Sequence, residues 1–295
     1  MKEYTQKLAV FFLTTKKEAE EGDLLRAINY YLYNIQSKYS FDLFLCFDQK
    51  VEKKVYDELS DVKKHQNIND VIFHCNNIPD DLNIYLQPWK KKTHSLPFDL
   101  RKRPMGRSHG INKHFYDTLF YLQKLDGYEN YMLLESDTKP MRSGWFDSCL
   151  KYAENTEYLV AGSVYKGKER EEVAKKYYSG HLNGVGLYKK SEKAHNFIKE
   201  SKEYLKELLR NDYNSRFKMY WAFMNYDVAM YLLANKGPYF KKEYASLYKD
   251  TDIFTNCSTA EDGDLSLNTV LNEFPETVIL HKKKMYDSDD FNITF

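Results

Sequence analysis

The chain has 295 residues, enough for one large domain or two closely packed ones. Its 44 lysines and arginines against 43 acids leave a net charge of +1, which gives no support to nucleic acid or an anionic membrane as the main partner. The longest early apolar stretch, residues 8–13, is too short for a secretory core or a membrane span, and Cys46, Cys75, Cys149 and Cys257 lack Cys-x-x-Cys spacing, so the expectation is a cytoplasmic protein with reduced thiols and no transmembrane segment.

Residues 8–13 read as a first buried strand ending at Thr14, Thr15 and Lys16, followed by a helix with Leu24, Ile28, Leu32 and Ile35 on one face. Residues 41–47 form a second strand ending at Asp48, and after a lysine-rich helical stretch residues 71–75 form a third. Residues 76–107 carry Pro79, Pro88, Pro97 and Pro104, too broken for long regular elements, and a connection of that length is often functional. Ser108 or Gly110 opens a helix with Ile111, Phe115, Leu119 and Leu122 on its face, which leads into a strand at residues 131–134. Beyond Pro140, strands are expected at residues 158–164 and 182–188, the latter interrupted by Gly184 and Gly186. Ser191 is placed to cap a helix carrying Ala194, Ile198, Leu205 and Leu208. A further helix spans residues 226–234 with Asp227 in its first turn, and residues 277–280 form a late strand delivering His281. This alternation predicts an α/β fold with a largely parallel central sheet and flanking helices. With no repeat and no Gly/Ser linker, residues 1–295 are expected to share one core, in two subregions, 1–140 and 141–295.

The richest chemistry lies at Glu135-Ser136-Asp137, which closes the apolar run at residues 131–134. Two carboxylates at the carboxyl end of a buried strand sit where α/β sheets hold ligands. They repel each other unless a cation or a donor compensates, and a hard divalent ion shared with substrate phosphates answers that need. A solvated strand end, or an acid capping the next helix, accounts for the same residues without a ligand. Asp250-Thr251-Asp252 and Asp262-Gly263-Asp264 are acidic too, but neither follows a clear apolar strand, and both read as loop and cap chemistry.

The order of these pieces resembles the GT-A fold glycosyltransferases, which move a sugar from a nucleotide-sugar donor. The resemblance implies a Rossmann-like nucleotide-binding half, fused to an acceptor-binding half, and a divalent metal, Mn2+ or Mg2+. Glu135-Ser136-Asp137 looks like the family's Asp-x-Asp, with glutamate first; the resemblance puts metal and donor diphosphate on Asp137, and a metal or ribose contact on Glu135. His181-Leu182-Asn183-Gly184-Val185-Gly186 matches the glycine-rich loop, making His181, Asn183 and Gly184 candidates for the sugar side of the site. Paired glycines permit positive φ and close backbone approach; a β-bulge or bent strand requires them equally. Asn225-Tyr226-Asp227 aligns with an acidic motif that ends in the base of inverting members, with Tyr226 in place of the usual glutamate, and a first-turn carboxylate is also ordinary helix electrostatics. His281 occupies the place of a late histidine metal ligand. The segment from Gly106 through Arg107 to Asn112 resembles a donor-binding helix entry, where Arg107 could clamp a diphosphate; Thr14 and Asp48, at strand ends, are candidates for ribose and base.

Implied partners are a nucleotide-sugar donor and a glycan or glycoconjugate acceptor. Donor sugar, base and stereochemical course stay open. A sugar nucleotidyltransferase shares a related sheet but has a Gly-rich loop after its first strand, and the sequence here reads Thr14-Thr15-Lys16-Lys17-Glu18, without glycine. A carbohydrate-binding protein with a structural cation is the non-catalytic alternative.

Overall fold

The computed structural model describes residues 2–33, 35–83, 104–106, 108–166, 180–211, 225–236, 239–257 and 267–281. Eleven strands are defined among them: β1 (Glu3–Tyr4), β2 (Ala9–Thr14), β3 (Tyr39–Phe47), β4 (Ile68–Cys75), β5 (Asn130–Leu134), β6 (Thr138–Pro140), β7 (Val160–Val164), β8 (Leu182–Lys189), β9 (Tyr248–Asp250), β10 (Phe254–Asn256) and β11 (Ile279–His281). Eight of them form one sheet in the order β1-β3-β2-β5-β8-β7-β9, with β4 also paired to β3. Within that sheet β8 runs antiparallel to both neighbours, and every other pairing is parallel. A smaller sheet has the order β10-β11-β6.

The apolar runs are continuous because the central strands are buried on both sides. Successive side chains of a strand point to opposite faces. Val10 and Phe12 of β2, Leu43 and Leu45 of β3, and Met132 and Leu134 of β5 therefore join one core, while Ala9, Phe11, Phe44, Cys46, Tyr131 and Leu133 join the other. Helices α1 (Lys16–Glu20), α2 (Asp23–Tyr33), α3 (Lys53–Ser60) and α5 (Trp145–Asn155) contribute to the first core. Helices α4 (His109–Lys124), α6 (Glu192–Asn211) and α7 (Tyr226–Tyr231) contribute to the second. Each fully buried Leu or Phe in these layers contributes about 1.5–3 kcal/mol, so packing, rather than helix propensity, holds the elements in place.

The periodicity overshoots in places. The helix expected to continue through residue 234 changes after Tyr231 into a π turn at Leu232–Lys236. There the Leu233 carbonyl accepts from Lys241 N–H at 2.9 Å, a partner from outside the helix. Asp250 is not purely a loop residue: it ends β9, and its carboxylate accepts from Val164 N–H at 3.0 Å. Asp252 pairs with Lys166 at 3.0 Å. Ser191 does cap α6, its hydroxyl accepting from Ala194 N–H at 3.1 Å.

After β2 the chain adds β3 and β4 on one side, then returns to place β5 on the other side of β2. Strand order therefore reverses at β2, and the ends of β2, β3 and β5 line one crevice there, outside the carboxyl ends of parallel strands, where such sheets hold ligands.

Candidate active site

Glu135, Ser136 and Asp137 form a tight turn between β5 and β6. Thr138 N–H donates to the Glu135 carbonyl at 3.1 Å, and the Thr138 hydroxyl donates to the same oxygen at 2.7 Å. The Tyr31 hydroxyl donates to Thr138 Oγ1 at 2.9 Å, so α2 pins the turn from below. The turn's own register then sets the third side chain, because β6 pairs with β11 and Thr138 lies opposite His281. His281 Nε2 stands 3.1 Å from Asp137 Oδ1 and 3.4 Å from Glu135 Oε2. One ligand atom from each of Glu135, Asp137 and His281 falls within 4.8 Å of the others.

This donor set suits a hard or borderline dication: the two carboxylates match the oxygen preference of Mg2+ and Mn2+, and the imidazole favours Mn2+ of the two. The electrostatics agree. Burial pushes the Glu135 carboxyl up to about 7; His281 opposes that shift, and the charges of Asp137, Glu18 and Asp227 add to it. Its side chain is still 27% exposed, towards the cavity in front of it. A carboxyl crowded by three others is relieved most directly by a positive ion.

That cavity measures about 840 Å³ and runs from Glu135, Asp137 and Tyr226 to the ends of β2 and β3 at Thr14 and Asp48. Thr14 and Asp48 thus lie along the same crevice as the acidic turn. The Asp48 carboxylate accepts from Lys16 N–H and from the Asn83 amide, both at 2.7 Å, which ties the start of α1 to the loop after β4. Asn112 is fully buried: its amide donates to the Met105 carbonyl at 3.0 Å and accepts from Tyr226 N–H at 2.8 Å, coupling α4 to the start of α7. The Ser136 hydroxyl turns to Glu18 Oε1 at 2.8 Å. Arg107 lies outside the described residues, as does the Asp262-Gly263-Asp264 motif.

The glycine-rich segment packs beside Tyr226 and Glu135. Gly184 and Gly186 are absent from the positive-φ residues, so backbone conformation does not require them. Contact does. A β-carbon on Gly184 would overlap the Tyr226 hydroxyl and lie 3.3 Å from Glu135 Oε1, and one on Gly186 would overlap the Ala161 carbonyl. The β7–β8 register also slips between Gly162 and Val164, opposite Leu182 to Gly186. Asn183 directs its amide nitrogen at His281 Nδ1, 2.6 Å away. His181 faces Asp227 across 3.7 Å. Asp227 is buried, which raises its carboxyl above the ordinary range, against the pull of His181 and the Val228 N–H bond at 2.8 Å. Tyr226 is stacked on Phe115 with ring centres 3.5 Å apart and 7° between planes, which fixes its hydroxyl at the cavity wall.

Glu18 has no role in the motif reading, yet it joins two parts of the site. With Thr15 it closes a capping box on α1, its carboxylate accepting from Thr15 N–H at 2.9 Å while Thr15 Oγ1 accepts from Glu18 N–H at 3.2 Å. Its other oxygen holds Ser136. The Thr15-x-x-Glu18 spacing is the signal that reveals the cap from sequence. His114, also at the cavity, holds the Thr14 carbonyl through Nε2 at 3.0 Å and meets the Asn76 amide at 2.7 Å; burial lowers its pKa to about 4, so it is neutral there.

Compared by sequence, the chain matches no family model and no curated protein. Compared by structure, it is similar to mouse xyloside xylosyltransferase 1 in its apo form, with a TM-score of 0.53 at 11% identity, over 95% of this chain and 98% of that one. It is also similar to the apo WbbM bifunctional glycosyltransferase, with a TM-score of 0.50 at 12% identity, over 94% of this chain. The chain spans 45% of WbbM's length. Both are glycosyltransferases, and the mixed sheet with its flanking helices is the GT-A fold.

Proposed function

We propose that the protein is a glycosyltransferase, moving a sugar from a nucleoside-diphosphate sugar to a hydroxyl of a glycan or glycoconjugate. Glu135, Asp137 and His281 would hold Mn2+ or Mg2+. The observation that carries this reading is the convergence of those three side chains, from two separate strand ends, with Glu135 and Asp137 lining a cavity at the crevice of a GT-A sheet. A dication held there would supply Lewis-acid neutralisation of the charge on the diphosphate leaving group.

The remaining roles belong to the chain itself. Thr14 and Asp48 line the part of the crevice assigned to the nucleoside. Asp227 is assigned as the base for the acceptor hydroxyl. Its raised pKa makes the carboxylate a better proton acceptor, and its Oδ1 is anchored by Val228 N–H while Oδ2 faces His181. Removal of a proton from an acceptor hydroxyl by a positioned carboxylate corresponds to an inverting displacement, and the anomer formed tests that assignment.

The experiment is a panel of nucleotide sugars with Mn2+, read as released nucleoside diphosphate. Release that stops with EDTA and with Asp137→Asn is expected. Asp227→Asn should lose about 10²–10⁴-fold in turnover while still binding metal and donor. Pyrophosphate as the product would make the protein a nucleotidyltransferase. Sugar binding without release across the panel would make it a carbohydrate-binding protein.

A further inference from the structure

The metal-site histidine has a second nitrogen, and the structure shows what holds it. His281 Nδ1 lies 2.6 Å from the Asn183 amide nitrogen, while the Asn183 amide oxygen accepts from Gly184 N–H at 2.7 Å. His281 is buried, on a strand whose ladder fixes its backbone on both sides. The direction of its ring is a separate matter. A side-chain torsion is set by packing and by hydrogen bonds, and among the described residues Asn183 supplies the bond to Nδ1. Asn183 can do so because the β7–β8 pairing slips beside it and because Gly184, with no β-carbon, lets Tyr226 and Glu135 close over the strand.

We propose that Asn183 is a positioning residue for His281, fixing the ring so that Nε2 points at Glu135 and Asp137, and so sets the affinity of this site for a divalent cation. The inference rests on the metal-centre reading above. Chemistry favours an amide in this position. With Oδ1 held by Gly184 N–H, the amide NH2 faces Nδ1, an arrangement that suits the tautomer with its proton on Nε2, towards the carboxylates. A cation on Nε2 requires the opposite tautomer, with the proton on Nδ1 and an acceptor facing it. Rotation of the Asn183 amide about its last torsion would present Oδ1 to a protonated Nδ1, giving up the bond from Gly184 N–H in exchange. Outer partners of metal-bound histidines commonly change metal affinity by about 10–100-fold when removed.

Mn2+ alone is the probe, titrated calorimetrically and by the electron paramagnetic resonance of the free ion, so no donor has to be known. Wild-type protein is expected to bind one Mn2+ per chain. Asn183→Ala should weaken binding about 10–100-fold, at unchanged stoichiometry and far-UV circular dichroism. The deciding measurement is a cycle with His281→Ala. If Asn183 acts through His281, its loss costs nothing further once the imidazole is gone, and the double variant binds Mn2+ as His281→Ala does. An Asn183→Ala variant with wild-type affinity overturns the proposal, and so do losses that add. Should Asn183→Ala be too unstable to titrate, Asn183→Gln and Asn183→Ser are put through the same cycle with the same criterion. Wild-type protein that takes up no Mn2+ overturns the metal centre itself, whereas wild-type binding with no Asn183 effect overturns only this inference.

Discussion

At the scale of single residues, the site is a problem of like charges. Glu135 ordinarily titrates near 4.5 and is held up to about 7, first by burial and then by neighbouring acids. Between those values the folded protein keeps a proton that the unfolded chain has released. That proton's contribution to stability is fully present below about pH 4.5 and is lost as pH rises through about 7. Metal binding needs the carboxylate, so at pH 6 a cation must displace the proton, whereas at pH 8 it need not. Mn2+ affinity should therefore be about tenfold weaker at pH 6 than at pH 8. Calorimetry at the two pH values checks this, and the heat should show more proton release at pH 6. Equal affinities would mean that the carboxyl is already ionised. Asp137 was the residue most legible from sequence, since a terminal carboxylate after an apolar strand carries its own chemical reason. Asn183 was legible only as a polar residue beside glycines: the bond to His281 spans 98 positions and depends on a strand pairing that no local pattern encodes.

Among elements, the packing of β8 against α7 explains why glycine is needed where the strand meets the site. The Tyr226 ring is clamped by Phe115 and by the Asn112 bond to its backbone, so it cannot swing away from a new β-carbon at Gly184. Gly184→Ala should cost about 1–3 kcal/mol in urea unfolding, within the range for overpacked sites. Tyr226→Phe removes the overlapping oxygen, leaving the ring carbon at 3.0 Å and Glu135 Oε1 at 3.3 Å, so in that background the alanine should be partly tolerated. Additive losses would show that some other contact dictates the glycine. The strands β2, β3 and β5 were readable because burial on both faces gives uninterrupted apolar runs. Short strands gave no such signal: β6 and β11 have three residues each, and they exist because each completes the other's ladder. His281 could be placed after an apolar run by sequence, but the position of its backbone beside the acidic turn follows from that pairing.

For the molecule as a whole, both halves of the chain meet at the site. Glu135 and Asp137 come from residues 1–140, His281, Asn183 and Asp227 from residues 141–295, and strands of both build the eight-stranded sheet. The alternation of strands and helices made the sheet predictable, whereas the insertion of antiparallel β8 next to β5 was not, because strand order depends on long-range pairing. One consequence concerns how ligands stabilise the fold. The acidic turn repels a diphosphate in the absence of cation, and a cation with no phosphate lacks part of its ligand set. Metal and nucleoside diphosphate should therefore bind with positive coupling, each improving the other's affinity by the same factor. A ligand at 100 times its dissociation constant adds about 2.7 kcal/mol to stability, on the order of 5 °C in melting temperature for a chain of this size. Melting curves with UDP, GDP, CDP, ADP and dTDP, each with and without Mn2+, should show one nucleotide producing such a shift with the metal and little without it, reversed by EDTA. A shift of equal size without metal would place the diphosphate away from Glu135 and Asp137. No shift with any of the five would leave the crevice between β2 and β5 without its proposed nucleotide.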